Sequence, residues 1–286
     1  MKVIVTGGKT GQLRWELERS VPDSVEALFM TRETLDVSDA GQVAGVIGEV
    51  GPDVIINASA YTAVDKAESE QEAAFAVNRD GVANLARAAR ESHARLIHVS
   101  TDFIFDGRHS SPYPVDFAPH PLSVYGQSKL AGEQAMQEIL GDQGLIVRTS
   151  WVYSAFGNSF VKTMLRLMNE RPEINVVADQ AGTPTWAHGL AQILWQMAGD
   201  ELTGIHHWTD AGITSWYDFA QAIYEEGRAA GLLSKEVRIN PITTEQYPTP
   251  ATRPAYSVLD KTKTWEATGK ISDHWRVSLR KMLQEL

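Results

Sequence analysis

The chain's 286 residues, 43% hydrophobic and 22% charged, are those of an ordinary globular protein, with room for one large α/β unit and a smaller appendage. A net charge of −10 without any Lys/Arg-rich run excludes the basic stripe of a nucleic-acid binder and leaves an anionic small ligand dependent on local arginines. The absence of cysteine removes disulfides, thiolate metal sites and thiol nucleophiles, and no apolar run approaches the ~20 residues that span a bilayer, so no membrane partner is expected.

In chain order, a strand is expected at residues 2–6; no cleavable leader stands before it, and a cytoplasmic location is expected. Further strands are expected at 25–30, 54–57, 95–100 and 145–148, alternating with helical patterns at 12–20, 40–50, 68–91 and 123–139. Strict βαβα alternation argues for a parallel sheet with helices on both faces. The runs VIV, VIIN and LIHVS are apolar on successive residues, as in strands buried on both sides. Beyond Trp151 the rhythm loosens, with helical patterns at 160–169, 186–197, 216–230 and 275–286. The expected class is therefore α/β: a Rossmann-type doubly wound parallel sheet over residues 1–150, and a smaller C-terminal substrate-binding cap over 151–286 from which some segments return to the sheet.

The first strand runs into Thr6-Gly7-Gly8-Lys9-Thr10-Gly11-Gln12-Leu13-Arg14. Gly8 and Gly11 match the first two glycines of a G-x-x-G-x-x-G turn. Such a turn lets the backbone approach a pyrophosphate, while the following helix offers free N–H groups and the positive end of its dipole. Gly8, Thr10, Gly11, Gln12 and Leu13 are accordingly candidate dinucleotide contacts. Arg14 replaces the third glycine and is expected either to hold the helix further out or to point into solvent. Cofactor choice is read at the end of the second strand, where Arg32 is the nearest charge. A basic residue there accepts a 2′-phosphate, so NADPH is expected to serve at least as well as NADH. Asp36 and Val37 would lie beside the adenine, and the small residues in Asn57-Ala58-Ser59-Ala60 would let the cofactor pass close to the third strand.

Among eight tyrosines only Tyr125 has a lysine four residues on, Lys129. On a helix starting near Ser123 that spacing puts both side chains on one face. A free phenol titrates at about 10, and a neighbouring ammonium favours its phenolate. Lys129 is therefore expected to make Tyr125 a usable general acid toward a carbonyl receiving hydride, and to hydrogen-bond the nicotinamide ribose. A hydroxyl at the end of the fourth strand would complete the set: Thr101 is placed to face the carbonyl, and Ser100 is the competing candidate. His98 reads as a strand-interior residue, and Asn78 as either a ligand contact or a partner for nearby backbone.

The segments GKTGQLRWEL (8–17), NASAYTAVDKAESE (57–70), STDFIFDG (100–107), PLSVYGQSKLAGE (121–133), RTSWVY (148–153), DQAGTPT (179–185) and YPTPATRP (247–254) span essentially the whole chain. Together they resemble the extended short-chain dehydrogenase/reductase family, and within it, more closely, members that reduce the 4-keto group of dTDP-4-dehydro-β-L-rhamnose. The resemblance implies that Thr101, Tyr125 and Lys129 are the catalytic set, with hydride from NADPH or NADH and a proton from Tyr125. It also implies that Thr101, Asp102, Phe103 and Trp151, with Arg148 nearby, line the substrate side, and that Arg253 contacts the diphosphate of a nucleotide sugar. Magnesium-linked homodimers built on glutamates are described in the family. Glu16 and Glu285 fit two of those positions, but His188 stands at the third, a poor match to Mg²⁺, which takes oxygen ligands. A monomer or a metal-free homodimer is an equal alternative. The alternative functions are another nucleotide-sugar 4-ketoreductase or epimerase, and a dinucleotide-binding regulatory subunit without catalysis.

Overall fold

The computed structural model describes all 286 residues. Its principal strands are β1 (Lys2–Thr6), β2 (Glu26–Met30), β3 (Val54–Asn57), β4 (Arg95–Thr101), β5 (Leu145–Thr149), β6 (Glu173–Val177), β7 (Gly204–His207) and β8 (Arg238–Ile242). Its principal helices are α1 (Gln12–Arg19), α2 (Ala40–Val50), α3 (Gly81–Ser92), α4 (Val124–Leu140), α5 (Phe160–Glu170), α6 (Ala187–Gly199), α7 (Trp216–Ala229) and α8 (Trp275–Leu283). No helix is long and apolar enough to cross a membrane.

Six strands form a sheet in the order β7-β5-β4-β3-β1-β2, every pair parallel. The order reverses between β1 and β3, and at such a point the loops leaving two adjacent strands part to opposite faces and open a crevice. Both faces are covered. Val3, Val5, Val54, Ile56 and Ile97 pack with Leu190, Leu194 and Trp195 of α6. The intervening Ile4, Ile55, Leu96 and Ile146 pack with Val82, Leu85 and Ala89 of α3. Each Val, Leu and Ile side chain among them contributes roughly 1.5–3 kcal/mol by its burial. The α/β class expected from the sequence is the one observed.

Two features bear on the site. β7 comes from the C-terminal half and pairs with β5; its sequence, Gly-Ile-His-His, carries none of the β-branched enrichment that marks a strand. The pattern at 68–91 is helical without a break from Gln71 to Ser92, but its winding widens partway. After a separate short helix at Val64–Ala67, the run Gln71–Phe75 passes through a π-helical turn at Ala76–Asp80 into α3. The wide turn aims Asn78 inward, where its Oδ1 accepts from the Tyr61 N–H at 2.8 Å and its Nδ2 donates to the Tyr61 carbonyl at 3.1 Å. Asn78 therefore holds the loop that follows β3. In the C-terminal half, β6 pairs with β8, and α5, α7 and α8 enclose a second core that includes Met168, Phe219, Ile223 and Leu279.

Helix α4 lies closest to the chemistry. Ser123 caps it, its hydroxyl accepting from the Gly126 N–H at 3.2 Å. The helix then runs in backbone contact with two neighbours: a Cβ at Gly126 would overlap the Phe103 carbonyl, and one at Gly132 the Asn78 carbonyl. The next residue, buried Glu133, pairs with buried Arg148 at 2.7 Å. Gly132→Ala gains up to about 1 kcal/mol of helix propensity but must push a backbone carbonyl aside, at a cost of roughly 1–3 kcal/mol or more. We expect a net loss of stability in urea denaturation; unchanged stability would contradict the close contact.

Candidate active site

The crevice begins at the glycine loop. The Gly11 N–H closes it onto the Gly8 carbonyl at 2.8 Å, and α1 starts at Gln12 with no side-chain cap and no acidic residue in its first turn. Its leading N–H groups are therefore free for an anion, and a Cβ at Gly8 would meet nothing, so the backbone lies open to a diphosphate. These features fit a dinucleotide. Gly157, in the left-handed conformation at φ 72°, approaches the carbonyl of Thr10 and the side chain of Gln12 from the C-terminal half.

Arg14 behaves differently from both expectations. Its side chain is only 13% exposed, pairs with Glu18 at 3.0 Å and lies over the Phe29 ring, 5.4 Å from the centroid. Gly7 makes the room, since a Cβ there would stand 3.2 Å from that of Arg14. The close packing that a third glycine normally provides is supplied by Gly7, just after β1. At the end of β2, exposed Arg32 pairs with Asp36 at 3.0 Å. Ser38 and Arg32 hold the Asp36 carboxyl below its usual range. Val37 is buried beneath Gly81.

At the ends of β3 and β4 a buried polar chain crosses the sheet. The Thr6 hydroxyl and the Ser59 N–H donate to Asn57 Oδ1 at 2.8 and 3.0 Å. Asn57 Nδ2 stands 3.1 Å from His98 Nδ1, and His98 Nε2 stands 3.2 Å from Lys129 Nζ. The Lys129 nitrogen also donates to the Val99 carbonyl at 2.7 Å. Ala58, Ser59 and Ala60 form a half-buried lip beside this chain.

Thr101, Asp102, Phe103 and Tyr125 converge where β4 ends. The Tyr125 phenol lies beside the Thr101 hydroxyl, Thr101 donates to Asp102 Oδ1 at 3.1 Å, and Phe103 stands edge-on to the Tyr125 ring at 5.5 Å. Of the two hydroxyls at the strand end, Thr101 meets the phenol, while the buried Ser100 hydroxyl has no protein partner. Burial dominates the proton affinities here. It pushes Tyr125 up to about 12 against the opposing influence of the Thr101 hydroxyl, with Asp102 adding to the rise. It pushes Asp102 up to about 6 and Lys129 down to about 8 despite Glu133. The expectation that the Lys129 ammonium lowers the Tyr125 phenol is corrected: Nζ is drawn to Val99 and His98, and burial sets the phenol.

Trp151 follows β5 in the left-handed conformation at φ 47°, a geometry that costs a non-glycine residue roughly 1–3 kcal/mol. Its indole stacks on Trp216, centroids 3.5 Å apart and planes 8° from parallel. Its edge fills the space a Cβ at Gly182 would occupy. Arg148 does not reach a substrate wall. It is buried, spent on Glu133 and on the Val115 carbonyl at 3.0 Å. Arg253 forms a two-pronged pair with Asp65, at 3.0 and 2.8 Å, and this pair joins the loop at 247–254 to the segment following β3.

Glu16 and Glu285 do come together, around a guanidinium that the sequence reading passed over. Arg19 pairs with fully buried Glu16 at 2.5 Å and with Glu285 at 2.7 Å, and lies 3.4 Å from His188 Nδ1. His188 and Ser154 supply further partners to Glu16 at 3.2 and 2.7 Å. Arg19 offsets one of the two carboxylate charges, and a cluster that holds a guanidinium and a histidine nitrogen does not fit Mg²⁺, which takes oxygen ligands. The signal lay in the sequence as a glutamate–arginine pair at i, i+3 on α1.

Comparison with known proteins follows the same outline. The chain is 41% identical over 292 residues to dTDP-4-dehydrorhamnose reductase of Escherichia coli (strain K12), covering 99% of this chain and 97% of that protein. It is 42% identical to the dTDP-4-dehydrorhamnose reductase of Burkholderia thailandensis, covering 100% and 99%. Its structure is similar to that of dTDP-4-dehydrorhamnose reductase from Bacillus anthracis in complex with NADP, with a TM-score of 0.94, 35% identity, and coverage of 100% of this chain and 99% of that one. The family described as RmlD substrate binding domain matches residues 1–286, and the chain belongs to that family.

Proposed function

We propose that the chain is an NAD(P)H-dependent dTDP-4-dehydrorhamnose reductase, acting on the 4-keto group of dTDP-4-dehydro-β-L-rhamnose to yield dTDP-L-rhamnose. The observation that carries this reading is the meeting of Thr101, a protonated Tyr125 phenol and the buried Lys129 amine at the carboxyl edge of the sheet, beside an open glycine loop. The identities of about 41% over nearly the full chain supply the substrate.

The bound nicotinamide supplies the hydride. The residues supply a proton and hold the ketone. Thr101 and Tyr125 offer hydroxyls to the carbonyl oxygen, whose developing charge favours their hydrogen bonds. A phenol pushed up to about 12 carries its proton throughout the neutral range and passes it to the alkoxide as hydride arrives at C4. The phenolate left behind is a stronger base than Lys129, lowered to about 8, so the ammonium proton refills Tyr125 and Lys129 is recharged from solvent. Gly8 to Leu13 would hold the diphosphate of the dinucleotide, Ala58 to Ala60 its passage along β3, and Arg32 a 2′-phosphate, with NADPH used at least as well as NADH. Phe103 and Trp151 would face the sugar, and Arg253, pre-set by Asp65, the sugar-nucleotide diphosphate. Residues 1–150 would serve mainly the cofactor and 151–286 mainly the substrate, in a cytoplasmic enzyme that functions as a monomer or as a homodimer without a metal link.

Tyr125→Phe should cut turnover by roughly 10²–10⁴-fold with NADPH affinity nearly unchanged; a fully active variant removes the proposed acid. The pH dependence has a definite sign. Lys129 is a cation below about 8 and an amine above it, so kcat/KM for NADPH, which reports the free enzyme, should fall on the alkaline side of that value. A flat profile up to pH of about 10, where an unperturbed lysine would still be charged, contradicts the assignment. Chelation with EDTA should leave the mass in solution and the thermal midpoint unchanged. Arg19→Ala, by stranding the buried Glu16, should cost roughly 1–3 kcal/mol in denaturant unfolding. An EDTA-sensitive assembly would overturn the reading of this cluster.

A further inference from the structure

His98 is buried against Lys129 and has no part in the mechanism above, yet its proton can be placed by counting donors. The Ser59 backbone N–H can only donate, and it points at the Asn57 side chain at 3.0 Å. The Asn57 atom that receives it is therefore the carbonyl oxygen, which also accepts from Thr6 at 2.8 Å. That fixes the amide so that Nδ2 donates toward His98 Nδ1 at 3.1 Å. An Nδ1 that accepts carries no proton, so the neutral imidazole bears its hydrogen on Nε2. Burial and the neighbouring lysine keep the ring neutral. The Nε2–H then points at Lys129 Nζ, 3.2 Å away. Against an ammonium this is a meeting of two donors; against an amine it is a hydrogen bond, with Nζ still donating to Val99 at 2.7 Å.

We propose that Asn57 and His98 form a tautomer lock, anchored on the Ser59 amide, that presents an N–H to Lys129 and favours its unprotonated amine. His98 is thus a positioning residue for proton transfer: it makes Lys129 ready to give its proton to Tyr125 after each reduction. The other titratable groups that face Lys129 are Tyr125 and Glu133 on its own helix. Glu133, which favours the charged lysine, is itself held by Arg148 from β5, and Glu68, from the segment packed against the start of α4, is spent on the Val124 N–H at 2.9 Å. None of them offers the ammonium a compensating acceptor as close as the Val99 carbonyl. The tautomer lock follows from geometry alone, while its use by Tyr125 rests on the function proposed above.

Two measurements on the full-length protein separate these parts. In ¹⁵N-histidine NMR, His98, assigned by its loss in His98→Gln, should show a protonated Nε2 and an unprotonated Nδ1 at neutral pH. The opposite tautomer, or a doubly protonated ring, overturns the lock. In the same variant a carboxamide can turn its carbonyl toward Lys129, so the alkaline limb of kcat/KM for NADPH should move up by about one pH unit, a tenfold gain in proton affinity. A limb that stays in place would show that His98 does not act on Lys129. A limb that persists unshifted in Lys129→Met would instead remove Lys129 from the reaction, and with it the use of the lock, while leaving the NMR result intact.

Discussion

The seating of helix α4 against the sheet is the constraint from which the site follows. Gly126 and Gly132 let its backbone touch the carbonyls of Phe103 and Asn78, which no larger residue would permit. That approach places Tyr125 against Thr101 and sends Lys129 through to the Val99 carbonyl. It also carries Glu133 to Arg148. The two glycines forgo helix propensity, and the contacts made by Ser128, Lys129 and Glu133 offset that loss. Ser128 takes part twice, donating to the Tyr125 carbonyl at 2.8 Å and accepting from Asn78 at 3.0 Å, so the loop after β3 and the helix are fixed to one another.

Water is kept from this junction, and its exclusion orders the proton affinities. A buried phenol and a buried carboxyl hold their protons more tightly, while a buried amine and a buried imidazole hold theirs less tightly. Tyr125 and Lys129 are thereby moved in opposite directions from their ordinary values, the phenol up and the amine down. Elsewhere the buried carboxylates Glu133 and Glu16 are each held by a guanidinium, Arg148 and Arg19, because a buried charge left unpaired is costly.

Much of the architecture was legible. Runs such as VIV and VIIN mark strands buried on both faces, and the glycine loop and the Tyr125–Lys129 spacing are local patterns that survive folding. What could not be read depends on contacts between distant segments. Whether Thr101 or Ser100 meets Tyr125 turns on where β4 ends relative to α4. That Lys129 turns toward His98 rather than the phenol depends on an imidazole 31 residues away in sequence. Arg14 was misjudged and Arg19 passed over for the same reason: Gly7 and Phe29 shelter the first, and Glu285, 266 residues on, completes the second. β7 has no pattern of its own and exists because the edge of β5 accepts it.

The central claim is a hydride transfer to a sugar ketone, and isotope transfer tests it most directly. With NADPH deuterated at the transferable position of C4 and dTDP-4-dehydrorhamnose as acceptor, the product sugar should carry deuterium at C4, one for each NADPH oxidised. Product without deuterium at that carbon, or NADPH left unconsumed by this ketone, would contradict the account.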